Sequence, residues 1–507
     1  MRTFKKHIFN IWILLLLMAF QSCHDKLETV EGQTNVGDTD YTITSDMVQP
    51  LIGAYHEFST RGWEEHLIYA VRGDDVNAAG DQVPLQEADQ YNYDPGSWMP
   101  NSLWGAHYND IVHMNNAREQ IELYKEFADE SDFALADQYR AETDVLRAWL
   151  HLNMSRMWSD IFIINSTDID VELEAGVATK EEVMQYIAGL MDEAMPLLPD
   201  LRPNERNDIP GGVTKYTALA IKALALQEIG DYQGVADATG QIINSGKFSL
   251  YNDFYQLFKK PGELSDESLL ELQFSDFGSE SGDAHYHLYA PYGPQGWTPA
   301  RENAGGGWGF YEPTLKYIKF MLDRDEMVRL QTSVLFTNSG MDEIMSDPDY
   351  ATLPSWMSNT TPDGDVINDY ARANFASGKH YLPSVQLTDG RNNYGGGKNF
   401  IVIRYAEILL IYAEALTQGA SATAISADEV VNMVRARAGM PALSGVTLQN
   451  VVDEKFAELA LEWGIRYYDM VRLGMYGELT HDGKTFSEDK VYYPYPTEQV
   501  DALPLEN

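Results

Sequence analysis

Two stretches of the chain combine large aromatic residues with planar polar ones, a pairing that suits a sugar ring. Residues 72 to 104 supply Arg72, Asp74, Asp75, Asn77, Tyr91, Tyr93, Trp98 and Trp104, and residues 286 to 311 supply Tyr286, Tyr289, Tyr292, Trp297 and Trp308. A sugar stacks its C–H faces on Trp or Tyr, while carboxylates, amides and Arg take its hydroxyls. Neither stretch has a helical or strand period, so its aromatics are harder to explain as core than aromatics at helical spacing. Trp104 starts a helix face and Trp308 precedes a helix between glycines. Those two are expected in the core.

A second constellation lies in the last quarter of the chain. Arg404, Glu407 and Glu414 are followed by Arg435, Arg437, Glu458, Glu462, Arg466, Asp469 and Arg472. Arg404 and Glu407 stand three apart and Glu458 and Glu462 four apart, so each pair shares a helix face and can meet charges from a neighbour. Structural ion pairs are expected rather than catalysis. Glycoside hydrolysis needs two carboxylates across a cleft, roughly 5 to 9.5 Å apart, one with a raised pKa. Among 77 acidic residues chance pairs abound and carry little weight. His285 and His287 offer two imidazoles at strand spacing without an evident third ligand. Asp74, Asp75, Asn77 and Asp81 offer oxygens for calcium but lack the EF-hand spacing and its closing Glu. No cofactor or metal is expected, calcium being the alternative.

The first residues have the layout of a signal peptide: Arg2, Lys5 and Lys6, an apolar run from Ile8 to Phe20 broken only by Asn10, then Ser22 and Cys23. The run falls short of the ~20 residues of a permanent span. A cysteine at the cleavage point can accept a diacylglycerol, so Cys23, the single cysteine of 507 residues, is expected to carry a lipid. No intrachain disulfide can form. The formal charge of −41 repels phosphate backbones and excludes nucleic acid as a partner.

A polar, aperiodic tether follows to about residue 41. Helical periodicity predicts helices at about 46–58, 103–127, 133–158, 180–198, 214–229 and 233–245, the last two joined by Gly230-Asp231-Tyr232 as in tetratricopeptide hairpins. Residues 246–400 read as loop-rich, with a short helix near 315–321. Helices return at 402–418, 427–438 and 448–473, the last interrupted near Gly464.

Several blocks stand in a telling order. They are Tyr139-Arg140-Ala141-Glu142 with Leu146-Arg147-Ala148-Trp149, Leu269 to Ser275, Asn399 to Leu410 with Tyr412-Ala413-Glu414-Ala415, Val434 to Gly439, Glu458-Leu459-Ala460-Leu461-Glu462 and Arg466 to Arg472. Together with Ser22-Cys23 they make the chain resemble the SusD/RagB family of nutrient-binding lipoproteins over nearly its whole length. The resemblance implies a mainly all-α fold, a tetratricopeptide-like helical-hairpin scaffold with a loop-rich second half containing little strand. It implies a signal peptide at 1–22, a lipid anchor and tether at 23–41, an N-terminal helical part at 42–275 and a C-terminal part at 276–507. The implied role is non-catalytic capture of an oligosaccharide at the cell surface. A SusC-like TonB-dependent transporter would receive it, with the outer membrane holding the protein through its lipid. In that family the ligand platform is built from regions comparable to the two aromatic stretches, and Arg72, Asp74, Tyr91, Trp98, Tyr292 and Trp297 are the candidate ligand-binding residues. An exported glycan-degrading hydrolase and a scaffolding lipoprotein without a small ligand are the alternatives.

Overall fold

A computed structural model describes residues 39–275, 286–388, 394–503 and 505; the signal peptide and Cys23 lie outside them. The first half contains α1 (Val48–Ser59), α2 (Trp63–Ala70), α3 (Val83–Asp89), α4 (Trp98–Lys125), α5 (Phe133–Trp158), α6 (Ile169–Glu174), α7 (Lys180–Ala194), α8 (Lys215–Glu228) and α9 (Tyr232–Asn244). Local signals set these boundaries. Thr179 and Glu182 form a reciprocal capping box at the start of α7. Gly230 takes the left-handed conformation after α8, and the Asp231 carboxylate accepts the Gly234 N–H to begin α9.

The middle of the chain holds α10 (Phe254–Leu257), α11 (Tyr286–Tyr289), α12 (Leu315–Asp323), α13 (Met327–Ser333) and α14 (Asn338–Met345), and the end holds α15 (Tyr405–Thr417), α16 (Ala427–Arg437), α17 (Leu448–Leu459), α18 (Ile465–Arg472) and α19 (Thr497–Ala502). Helix packs on helix in sequence: α4 on α5, α5 on α7, α7 on α8, α8 on α9. The stack then continues from α9 to α15 and on to α16 and α17. The C-terminal helices therefore extend the N-terminal hairpins, and the fold is all-α in the sense expected.

Strand is confined to four antiparallel pairs: β1 (Val76–Ala78) with β4 (Tyr311–Pro313), β2 (Ser268–Leu272) with β8 (Phe400–Arg404), β3 (Trp297–Thr298) with β6 (Val366–Ile367), and β5 (Val334–Phe336) with β7 (Phe375–Ser377). Two of these revise the sequence reading. Residues 402–404 belong to a strand, because the β-branched run Ile401-Val402-Ile403 pairs with β2 before the chain turns into α15 at Arg404. The segment after residue 70 is also more regular than expected, since it contains β1 and α3. No helix among the described residues is long and apolar enough to cross a membrane.

The charged residues of the last quarter form a buried ion network. Arg404 reaches Glu267 at 2.9 Å, Glu458 at 2.6 Å and Glu462 at 2.8 Å. Arg329 meets Glu454 at 2.7 Å, Arg435 meets Glu454 at 2.7 Å, and Lys379 meets Glu462 at 2.7 Å. Arg437 closes on Glu458. A second cluster joins Glu414 to Lys455 and Arg472, so Lys455 supplies a cation there. Desolvation opposes ionisation of Glu458, but Arg437, Arg404 and Arg329 outweigh it and hold its carboxyl at about 2. Glu407 takes no part in Arg404's pairs, and burial pushes it up to about 7.

Stability should therefore respond to acid in two stages. Burial lowers His66 and His151 to about 3 from 6.5, and His380 moves well below its usual value. Below pH 6.5 the unfolded chain protonates these imidazoles first, which costs about 1.4 kcal/mol per pH unit for each. Burial raises Asp75 to about 6 and Glu312 and Glu407 to about 7, so there the folded chain takes up protons first and gains stability. The two sets oppose one another between pH 6.5 and 4.5. Below 4.5 the depressed carboxyls Glu228 and Glu458, each at about 2, and Glu414, also lowered, add to the loss from the histidines. Urea midpoints are expected to fall more steeply with acid below about pH 4.5 than between pH 6.5 and 4.5; a slope that is no steeper below 4.5 would contradict this account.

Candidate functional site

The β1–β4 ladder brings the two aromatic stretches together. Asn77 lies opposite Glu312 and Ala78 opposite Tyr311, and the Ala79 N–H donates to the Phe310 carbonyl at 2.9 Å. Beside that end of the ladder stand three tryptophans. The Trp63 ring centroid lies 6.1 Å from Trp98, 5.6 Å from Trp308 and 5.9 Å from Phe310. Trp98 is 49% exposed and Trp63 and Trp308 are partly exposed, while Phe310 beneath them is buried.

Each side chain is placed by its element. Trp98 is the first residue of α4, whose Met99, Leu103 and Trp104 point into the core. At about 100° per residue Trp98 and Trp104 project in different directions, which leaves Trp98 outside. Pro100 is tolerated because first-turn N–H groups have no helical partner. Trp63 opens α2, whose remaining residues are all buried, so only the helix's first residue reaches the surface.

Arg372 borders the cluster. Its guanidinium lies 5.0 Å from the Phe310 centroid, donates to the Trp308 carbonyl at 3.0 Å and pairs with the exposed Asp81 at 3.0 Å. Gly80 allows this approach: it has φ 83°, and a β-carbon there would stand 2.9 Å from the Phe310 ring and 3.2 Å from Arg372. The face thus offers three indoles beside a paired Arg and Asp.

Four of the six sequence candidates stand elsewhere, buried among other protein side chains. Arg72 is fully buried, donates to the Tyr468 hydroxyl at 2.9 Å and lies 4.3 Å from the Tyr467 ring. Asp74 is fully buried and bonded to Arg466 at 2.6 and 2.9 Å and to Lys316 at 2.6 Å. Tyr91 is buried, its hydroxyl 3.0 Å from the carbonyls of Arg72 and Leu479. Tyr292 is buried and stacks on His380 at 4.2 Å. The Trp463 N–H donates to His66 Nε2, so Nδ1 carries the proton and donates to the Tyr292 hydroxyl at 2.6 Å. A side chain enclosed in this way presents no face to a sugar.

Trp98 joins the exposed cluster. Trp297 is partly exposed, but its ring partner is Tyr394 at 5.5 Å rather than any of the three tryptophans. Trp104 is buried as expected, whereas Trp308 reaches the surface against expectation. Trp63 carried no sequence signal beyond its place after Gly62 at a helix start.

The calcium candidates are also engaged. Asp75 accepts the Leu461 N–H at 2.7 Å, Asn77 accepts from Lys484 at 2.6 Å, and Asp81 holds Arg372. No group of three His, Cys, Asp or Glu suited to a metal occurs among the described residues. His285 and the His287 side chain lie outside those residues, and Tyr286–Tyr289 is a helical turn rather than a strand.

A model of the SusD family matches residues 266–502, and a SusD-like model described as "Starch-binding associating with outer membrane" matches residues 31–223. The two matches together take in most of the chain. It belongs to the SusD family. SusD-like protein P2 of Formosa agariphila is 26% identical over 496 residues, covering 93% of this chain and 92% of that protein. A laminarin-binding SusD-like protein shares the fold at a TM-score of 0.73 and 21% identity, over 90% of this chain and 97% of the other. Surface glycan-binding protein A of Bacteroides thetaiotaomicron, solved with laminarihexaose, has the same TM-score, identity and coverage. For SusD-like proteins the family description gives association with the outer membrane.

Proposed function

We propose that this SusD-family chain binds an oligosaccharide on the Trp63–Trp98–Trp308 face without cleaving it, and hands it to a SusC-like TonB-dependent transporter while a lipid on Cys23 holds it at the outer membrane. The observation that carries the binding reading is the exposed indole cluster with Arg372 and Asp81 at its rim. Indole faces suit C–H stacking, and the rim groups suit hydroxyls. The ligands of the structural neighbours, laminarin and laminarihexaose, are neutral glucans of the class such a face accepts. The anchor reading rests on the Cys23 signal, and the partner on family membership.

One observation favours a hydrolase as the second reading. Burial pushes Glu312 up to about 7, against the Asn374 and Phe375 N–H groups and helped by Glu343, and it lines an open pocket. A panel of purified glycans separates the two. Affinity electrophoresis is expected to show retention by at least one glycan with no reducing ends released overnight. Release of reducing ends would establish catalysis, and no retention by any glycan would remove the binding reading. In cells fed labelled palmitate, Cys23→Ala is expected to abolish labelling of the protein.

A further inference from the structure

The glycan-binding face does not end at the tryptophans. Phe310, immediately before β4, and Glu312 within it are two residues apart and share one side of the ladder, a step of roughly 6.5–7 Å. The neighbouring segment runs alongside, with Arg372 at Phe310 and Asn374 at Glu312: the Asn374 and Phe375 N–H groups donate to Glu312 Oε1 at 2.6 and 3.3 Å. At that second position a cavity of about 310 Å³ opens, lined by Asn77, Glu312, Glu343, Asn374, Phe375 and Asp482. Pockets of this size suit a small ligand.

From this register we infer that the cavity is a second subsite for the same chain of sugars, and that it selects uncharged oligosaccharides over uronates and sulfated glycans. The inference rests on the binding reading above. Glu312 spends Oε1 on two backbone N–H groups, and no described donor reaches Oε2, which is left to accept a hydroxyl. Glu343 is oriented by the Asn374 amide at 2.7 Å. Glu312, Glu343 and Asp482 therefore line the place of one sugar unit, where hydroxyl donors satisfy them and another carboxylate or a sulfate would be repelled, Glu312 adding its full charge above about pH 7. Of the nearby basic groups, Lys484 is already held by Asp89 and Asn77 and Lys316 by Asp74 and Glu478, while His481 lies 3.3 Å from Asp482 and cancels charge there only when protonated. At the first position Arg372 is likewise neutralised by Asp81. The overall charge of −41 acts in the same direction at longer range.

The test uses the mature chain with six probes: hexasaccharides and trisaccharides of a β-1,3-glucan and an α-1,4-glucan, a hexauronate, and a sulfated hexasaccharide. At least one neutral hexasaccharide is expected to bind and both anionic probes to fail. The double variant Glu312→Gln, Glu343→Gln keeps an amide oxygen for the backbone N–H groups. It is expected to weaken the hexasaccharide about five-fold, to leave the matching trisaccharide unchanged and to admit the hexauronate. Glu343→Gln alone, on the pocket rim, provides the same readout should the double variant melt early. Wild-type binding of an anionic probe as tightly as the neutral one, or an unchanged hexasaccharide affinity in both variants, overturns the subsite. Loss of hexasaccharide binding in EDTA would assign the pocket to a cation and overturn it too. If Trp98→Ala weakens binding while the carboxyl variants do not, the subsite alone fails; if none of them matters, the binding face itself is misplaced.

Discussion

Arg404→Met is expected to destabilise the fold by about 3–5 kcal/mol, a large part of the stability of most proteins. The guanidinium is 1% exposed and bonds to three carboxylates and to the Glu458 carbonyl. Removing it strands Glu267, Glu458 and Glu462 in a poorly polarisable interior, where Lys379 and Arg437 remain as partial compensation. The cost is the uncompensated charge rather than the loss of one attraction. Two comparisons isolate that cause. Arg140→Met removes a pair with Glu122 whose side chains are 35% and 43% exposed, and it should change the unfolding free energy from urea titration by no more than about 1 kcal/mol. Adding Glu462→Gln to Arg404→Met should recover part of the loss, because it removes one stranded charge. Equal effects of Arg404→Met and Arg140→Met would show that the network is not what holds α17 to β2 and β8.

Trp98→Ala is expected to weaken oligosaccharide binding by on the order of 1–2 kcal/mol, roughly 5- to 30-fold in Kd. Its ring is half exposed, so truncation should leave the unfolding free energy within about 0.5 kcal/mol of the parent. Trp63→Ala should lose binding to a similar degree and some stability as well, because that ring is wedged between Trp98, Trp308 and Phe310. Trp297→Ala is the informative contrast. Its ring packs at Tyr394, and a binding loss equal to that of Trp98→Ala would move the ligand toward the far end of the 299–307 loop.

The helical frame was legible because its signals are local. Residues 133–158 form α5 with the predicted ends, and the break near Gly464 is present, with Gly464 at φ 69° between α17 and α18. Strand β8 was missed because its β-branched run merges into a helix and its partner lies more than a hundred residues earlier. The site was half legible for the same reason. Composition singled out both loops, and the ladder does join them. It could not show that Asp74 meets Arg466, or that Tyr91 and Tyr292 close over the core, since those partners are hundreds of residues away. Polar and aromatic residues in an aperiodic stretch serve a core as readily as a surface when other segments thread through it. Trp63 was hidden in the opposite way: it heads a helix that is otherwise all interior, and only its terminal place exposes it.

The central claim is that an oligosaccharide lies across Trp63, Trp98 and Trp308. A crystal structure of the mature chain with whichever hexasaccharide it retains tests this most directly. The expected result is sugar density stacked on the Trp98 and Trp63 indoles with a hydroxyl within hydrogen-bond reach of Arg372 or Asp81. Density elsewhere with the three indoles bare, for example in the apolar cavity between Trp104, Tyr108 and Phe162, would contradict it.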